Sequence, residues 1–171
     1  MNNTLFDIHE RPLTQDEFDR VQTGFAEYQV ENGIPLVPYD RFTFVAMDGK
    51  DFIGCSSAIR NNNWFYLSDL WVEKPWRGQG LGSLLLHKME QRILESGIKR
   101  IFAWTNGYEA PGFYKKKGYT LFCELEDFFS SGQGRYGFRK NLGEPNFSKK
   151  EGLWGRCSRA LTLSRLRDPK G

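Results

Sequence analysis

The chain has 171 residues, enough for one domain that buries roughly 70% of its unfolded surface without disulfide or metal staples. Apolar residues make up 39%, charged residues 26% and aromatics 15%, which excludes a disordered chain. The 24 basic and 21 acidic residues leave a net charge of +3, too balanced for a dedicated nucleic-acid binder. In chain order, Thr4 to His9 alternates loosely and reads as a first strand. Thr14-Gln15-Asp16-Glu17 fits a capping box, and Phe18, Val21, Phe25 and Tyr28 follow at helical spacing, so a helix is predicted over 15–32. After the proline-containing break Gly33–Pro38 come strands over Arg41–Asp48, Phe52–Arg60 and Trp64–Glu73. They are joined by the Asp48-Gly49 hairpin signal and by Asn61-Asn62-Asn63.

The pattern then changes. Leu81, Leu85, Met89 and Ile93 recur every four residues, as on the core-facing stripe of an amphipathic helix, and Gly97 closes it. A short strand over Arg100–Thr105, a short helix over Ala110–Lys117 ended by Gly118, and strands over Tyr119–Glu126 and Arg135–Leu142 complete the body. The final segment, Gly143–Gly171, holds seven basic and three acidic residues, and Leu153, Trp154, Cys157 and Leu161 mark a possible helical face. A docked helix, a mobile tail and a basic arm all fit that segment. No apolar run approaches the roughly 20 residues that span a bilayer. Residues 1–10 lack the charged-then-apolar pattern of a signal peptide. Cys55, Cys123 and Cys157 are scattered, and His9 and His87 are the only histidines, so no zinc site is expected. These features together give the expectation of a cytoplasmic protein with reduced thiols, no membrane contact and no nucleic-acid partner.

Two segments carry chemistry. Arg77-Gly78-Gln79-Gly80-Leu81-Gly82 lies between a predicted strand and a predicted helix. Its glycines free backbone N–H groups to turn toward an anion, the helix start adds unpaired amides, and Arg77 adds a cation. The Walker pattern is absent, and the glycine spacing misses the dinucleotide fingerprint. The second segment, Ala110 to Tyr119, presents Tyr114, whose phenol is a credible proton donor.

Leu70-Trp71-Val72-x-x-x-x-Arg77-x-x-Gly80-x-Gly82 resembles the coenzyme-binding motif of the GNAT superfamily of acyl-CoA-dependent N-acyltransferases. Phe113-Tyr114-x-x-x-Gly118-Tyr119 resembles that superfamily's second motif. The resemblance covers residues 1–142 and is nearest to the small bacterial acetyltransferases that end soon after an Arg-Lys-x-Leu, here Arg139–Leu142. It implies a GNAT-like α/β fold: a mixed, mostly antiparallel seven-strand sheet flanked by helices, with residues 143–171 as a basic extension. It implies direct transfer of an acetyl group from acetyl-CoA to a primary amine, a small molecule ahead of a protein lysine or N-terminus, in a monomer or homodimer. A catalytically weak acetyl-CoA sensor is the alternative.

The resemblance also assigns roles. Arg77, Gly78, Gln79, Gly80, Leu81, Gly82 and Ser83 would hold the pyrophosphate, and Leu70, Trp71 and Val72 the pantetheine arm and thioester oxygen. Tyr114 would serve the leaving thiolate. Asp69, read as partly buried among Leu67, Leu70 and Trp71, and Glu73 are the candidate general bases. Asn106, one residue before the family's usual asparagine position, which is Gly107 here, is the candidate asparagine for the pantetheine arm. The loop Phe128–Gly134 lacks the Pro-Pro-Gly-His of near relatives. Glu124, Glu126, Asp127, Glu27 and Glu31 suit either attraction of a cationic amine or a plain solvated face. Phe25, Tyr28, Trp64 and Tyr66 suit either a pocket wall or the core.

Overall fold

The structure is a computed structural model and describes residues 6–143; Cys157 and the expected tail helix lie outside the described residues. Helix α1 (Gln15–Glu31) starts with the expected capping box: Glu17 N donates to Thr14 Oγ1 and Thr14 N to Glu17 Oε2. Strands β1 (Arg41–Asp48), β2 (Asp51–Asn61) and β3 (Trp64–Val72) form an antiparallel meander. A single 3-10 turn, Lys74–Trp76, leads to α2 (Leu81–Glu95). Then follow β4 (Arg100–Asn106), the short α3 (Pro111–Lys116), β5 (Thr120–Leu125) and β6 (Arg135–Asn141).

Among the described residues the sheet has six strands in the order β1-β2-β3-β4-β6-β5, and of their pairings only β3–β4 is parallel. The expected seventh strand is missing: Phe6 to His9, the described part of Thr4–His9, is irregular and exposed. One face of the sheet is the core. Ala58, Phe65, Leu67, Ile101, Ala103 and Phe138 pack against Leu86, Met89 and Ile93 of α2 and Tyr114 of α3. Polar clasps register this layer. Ser56 Oγ donates to the Leu85 carbonyl at 3.2 Å, and Glu90 accepts from both Lys140 Nζ at 2.9 Å and Tyr119 Oη at 3.0 Å.

Helix α1 departs from expectation. It buries no residue, and Phe25 and Tyr28 are each 67% exposed, so neither joins the core. The 3.6-residue period identified the helix correctly, but period alone does not say what covers the stripe.

Gly54 fixes how closely β2 and β3 approach beside the motif loop. A Cβ there would stand 2.7 Å from the Trp71 carbonyl oxygen, inside contact distance of fixed backbone. Gly54→Ala is expected to push the strand ends apart and cost about 1–3 kcal/mol, measured as a lower urea midpoint with an unchanged slope.

Candidate active site

The sheet opens where the two motifs meet. β3 and β4 pair only from Phe65–Ile101 to Leu67–Ala103. Beyond Leu67, the stretch Ser68 to Val72 has no paired residue on β4, so a V-shaped gap faces the backbone of Leu70 and Trp71. A bulge sits at the start of this gap. Leu67 pairs with Ala58 but Asp69 with Ser57, leaving Ser68 as the extra residue. One inserted residue reverses which face the following side chains take.

That reversal corrects the expected environment of Asp69. It does not point into the core between Leu67 and Leu70. It stands on the opposite face, half exposed, and accepts from Arg41 Nη2 at 3.3 Å and Ser68 Oγ at 2.7 Å. Ser57 Oγ, bonded to Thr43 Oγ1 at 2.8 Å and Arg41 Nε at 3.1 Å, completes this polar strip. Glu73 ends β3 on the loop side, where its carboxylate accepts from Trp71 Nε1 at 3.2 Å.

The loop from Arg77 to Ser83 is shaped by backbone. Gly78 (φ 77°) and Gly80 (φ 88°) take left-handed conformations that residues with a Cβ avoid. Gly80 caps α2 without a side-chain hydrogen bond. The first helical bond runs from Leu84 N to the Gly80 carbonyl, so the Leu81, Gly82 and Ser83 amides are the helix's free N-terminal donors. Two braces hold the loop. Arg77 Nε donates to the Val72 carbonyl at 2.8 Å with its guanidinium 4.7 Å from the Trp71 ring centre, and Gln79 Nε2 donates to the Pro75 carbonyl at 2.9 Å. Amides, a helix dipole and one exposed cation fit a diphosphate.

Tyr114 lies on α3, with its ring in the core layer. Its ring is buried, stacked on Phe138 at 5.6 Å and edge-on to Tyr119 at 5.4 Å. Burial, with Glu109 and Tyr66 as smaller contributors, pushes its phenol up to about 12. Tyr114 is therefore a neutral donor across the physiological range. Full proton transfer from it to an ordinary thiolate, with a pKa of about 8.5, runs uphill by roughly 5 kcal/mol. The hydroxyl is suited to hydrogen-bond a thiolate rather than to protonate it.

The sequence reading missed Glu109. Its carboxylate accepts from Thr105 Oγ1 at 3.0 Å, Asn106 N at 2.8 Å and Asn106 Nδ2 at 2.9 Å, closing the turn between β4 and α3. Asn106 also donates from Nδ2 to Tyr108 Oη at 3.1 Å, so its side chain is committed within that turn. The acid immediately before Ala110, at the start of the second segment, was the available signal. Of the acids expected at the acceptor end, Glu124 hydrogen-bonds Tyr136 and pushes that phenol up. Glu27 and Glu31 line a separate groove on α1 with Thr23 and Leu36. Trp64 and Tyr66 lie on the sheet face opposite α2, where Phe102 packs against both. Trp104 and Phe122 extend that aromatic face, and the Phe122 ring lies so close over Gly137 that a Cβ there would meet it at 2.7 Å. Among the described residues no cluster of His, Cys, Asp and Glu is arranged to hold a metal ion, and no helix is long and apolar enough to cross a membrane.

The sheet thus splits beside a glycine-shaped helix start, in a fold shared with solved acetyltransferases. Residues 39–121, just under half of the chain, match the family described as acetyltransferase (GNAT) domain. The fold is shared with an acetyltransferase from Bacillus cereus: TM-score 0.70, 25% identity, covering 78% of this chain and 97% of that one. It is also shared with an aminoglycoside 6'-N-acetyltransferase solved with coenzyme A: TM-score 0.54, 20% identity, 61% and 74% covered. In sequence the chain is similar to the blasticidin-S acetyltransferase of Streptomyces morookaense, 38% identical over 66 residues. That match covers 38% of this chain and 48% of the relative, so it spans about half of the relative's length.

Proposed function

We propose that the protein is an acetyl-CoA-dependent N-acetyltransferase acting on a small-molecule primary amine. The observation that carries this reading is the Gly78–Ser83 amide cradle opening beside the β3–β4 gap. Acetyl-CoA, when bound, supplies an activated acyl group. In this reading the Leu81, Gly82 and Ser83 amides bind the pyrophosphate, and Arg77 adds charge. The backbone of Leu70 to Val72 aligns the pantetheine arm and holds the thioester oxygen. Tyr114 Oη donates to the sulfur as negative charge gathers there. Asp69 and Glu73 remain the carboxylates proposed to receive the ammonium proton, directly or through water. Asp69 has the better placement, on the face opposite α2 and next to the gap. A small amine is favoured because the relative similar in sequence, a blasticidin-S acetyltransferase, is named for a small molecule, whereas the ribosomal-protein-alanine acetyltransferase that shares the fold is only 13% identical.

Titration calorimetry with acetyl-CoA, with ATP as control, tests the cradle. Acetyl-CoA is expected to bind and ATP to give no heat. A Cβ at Gly80 meets no atom within 4 Å, so Gly80→Val acts only through its φ of 88°. Holding valine there costs about 1–3 kcal/mol, so acetyl-CoA affinity is expected to fall roughly 10- to 100-fold. Binding of ATP equal to that of acetyl-CoA would contradict the assignment.

A further inference from the structure

We infer that Arg135 is an anion-binding residue of the acceptor site, and that the amine acetylated here carries a carboxylate; this rests on the transferase reading above. Arg135 is the first residue of β6 and pairs with Asn106, the last of β4. Paired residues project to one face, and this is the face of Phe102 and Trp104, opposite α2. β3 leaves β4 at Ala103, three residues before Asn106. Arg135 thus stands one strand away from the gap, across β4, about 10 Å along the strand direction from where it opens.

Its surroundings are unusual for an arginine. The guanidinium lies 5.5 Å from the Trp104 ring centre and 5.2 Å from that of Phe128. Arg135 Nε is buried and has no hydrogen-bond partner, the one such side-chain atom among the described residues. Arg11, Arg41, Arg60, Arg92 and Lys140 each meet a carboxylate within 4.0 Å, whereas Arg135 meets none among those residues. Glu109 is engaged by Thr105 and Asn106, and Glu126 and Asp127, which follow Arg135's partner Leu125 in the chain, form no salt bridge with it. A buried donor left unpaired costs about 1–3 kcal/mol, more when it belongs to a charged group. The aromatic neighbours hold the guanidinium plane while its edge stays available. One planar fork matches the two oxygens and single charge of a carboxylate. An acceptor with its nitrogen in the gap and its carboxylate on Arg135 is amino-acid-like.

The test uses the full-length protein saturated with CoA. Calorimetry compares L-phenylalanine, L-methionine and L-lysine with phenylethylamine, 3-(methylthio)propylamine and cadaverine, the same amines without the carboxylate. At least one amino acid is expected to bind 10-fold or more tighter than its partner. Arg135→Gln is expected to erase that preference and Arg135→Lys to restore part of it, with acetyl-CoA affinity unchanged in both. The wild-type comparison stands even if neither variant folds. No carboxylate preference in any pair, including no binding at all, overturns the assignment, as does a preference that survives in Arg135→Gln. Wild-type protein that binds no acetyl-CoA would instead overturn the transferase reading, so the two failures are distinguishable.

Discussion

Tyr114→Phe should lower kcat about 100-fold while leaving the KM for acetyl-CoA within about twofold. The substitution removes one hydroxyl and keeps the ring that stacks on Phe138, so the fold and the cradle persist. What disappears is a hydrogen bond made only when charge collects on sulfur, and such bonds to a charged group contribute about 1.5–3 kcal/mol. With the phenol pushed up to about 12, the hydroxyl does not titrate below about pH 11. Wild type and variant should therefore give pH–rate profiles of the same shape at different heights. A variant that matches wild-type kcat, or that loses an alkaline limb present in wild type, removes Tyr114 from this role.

The second large effect is on stability. Phe138 is fully buried on β6, touching the core layer and the Tyr114 ring. Truncation to alanine leaves a cavity that strands and helices on both sides hold open, and costs about 3–5 kcal/mol. For a domain of this size that is a melting-point drop of roughly 6 to 20 °C. Activity should fall further than the folded fraction explains, because Tyr114 loses the plate that orients it. A drop of under 2 °C would mean that the β6–α3 contact carries little of the packing.

Local signals in the chain foretold most of this geometry. The capping box at Thr14, the Asp48-Gly49 hairpin and the four-residue leucine period of α2 each specify an element by themselves, and each is found where expected. The glycine run was legible because left-handed backbone at Gly78 and Gly80 demands that residue. Properties set by distant pairing were not. The orientation of Asp69 depends on a single extra residue at Ser68, which nothing in the alternation of β3 announces. Thr4–His9 alternates like a strand, yet its described part pairs with no strand of the sheet. The isolation of Arg135 is a statement about which acids do not reach it, and a sequence holds no record of that.

The three-residue pairing between β3 and β4 has a mechanical side. The sheet consists of two stiff leaves, β1-β2-β3 and β4-β6-β5, each knit by long antiparallel ladders. Only the short parallel run from Phe65 to Leu67 fastens one leaf to the other, with α2 lying across the joint like a strap. Fewer residue pairs cross this joint than knit either leaf, and the angle between the leaves sets the width of the gap.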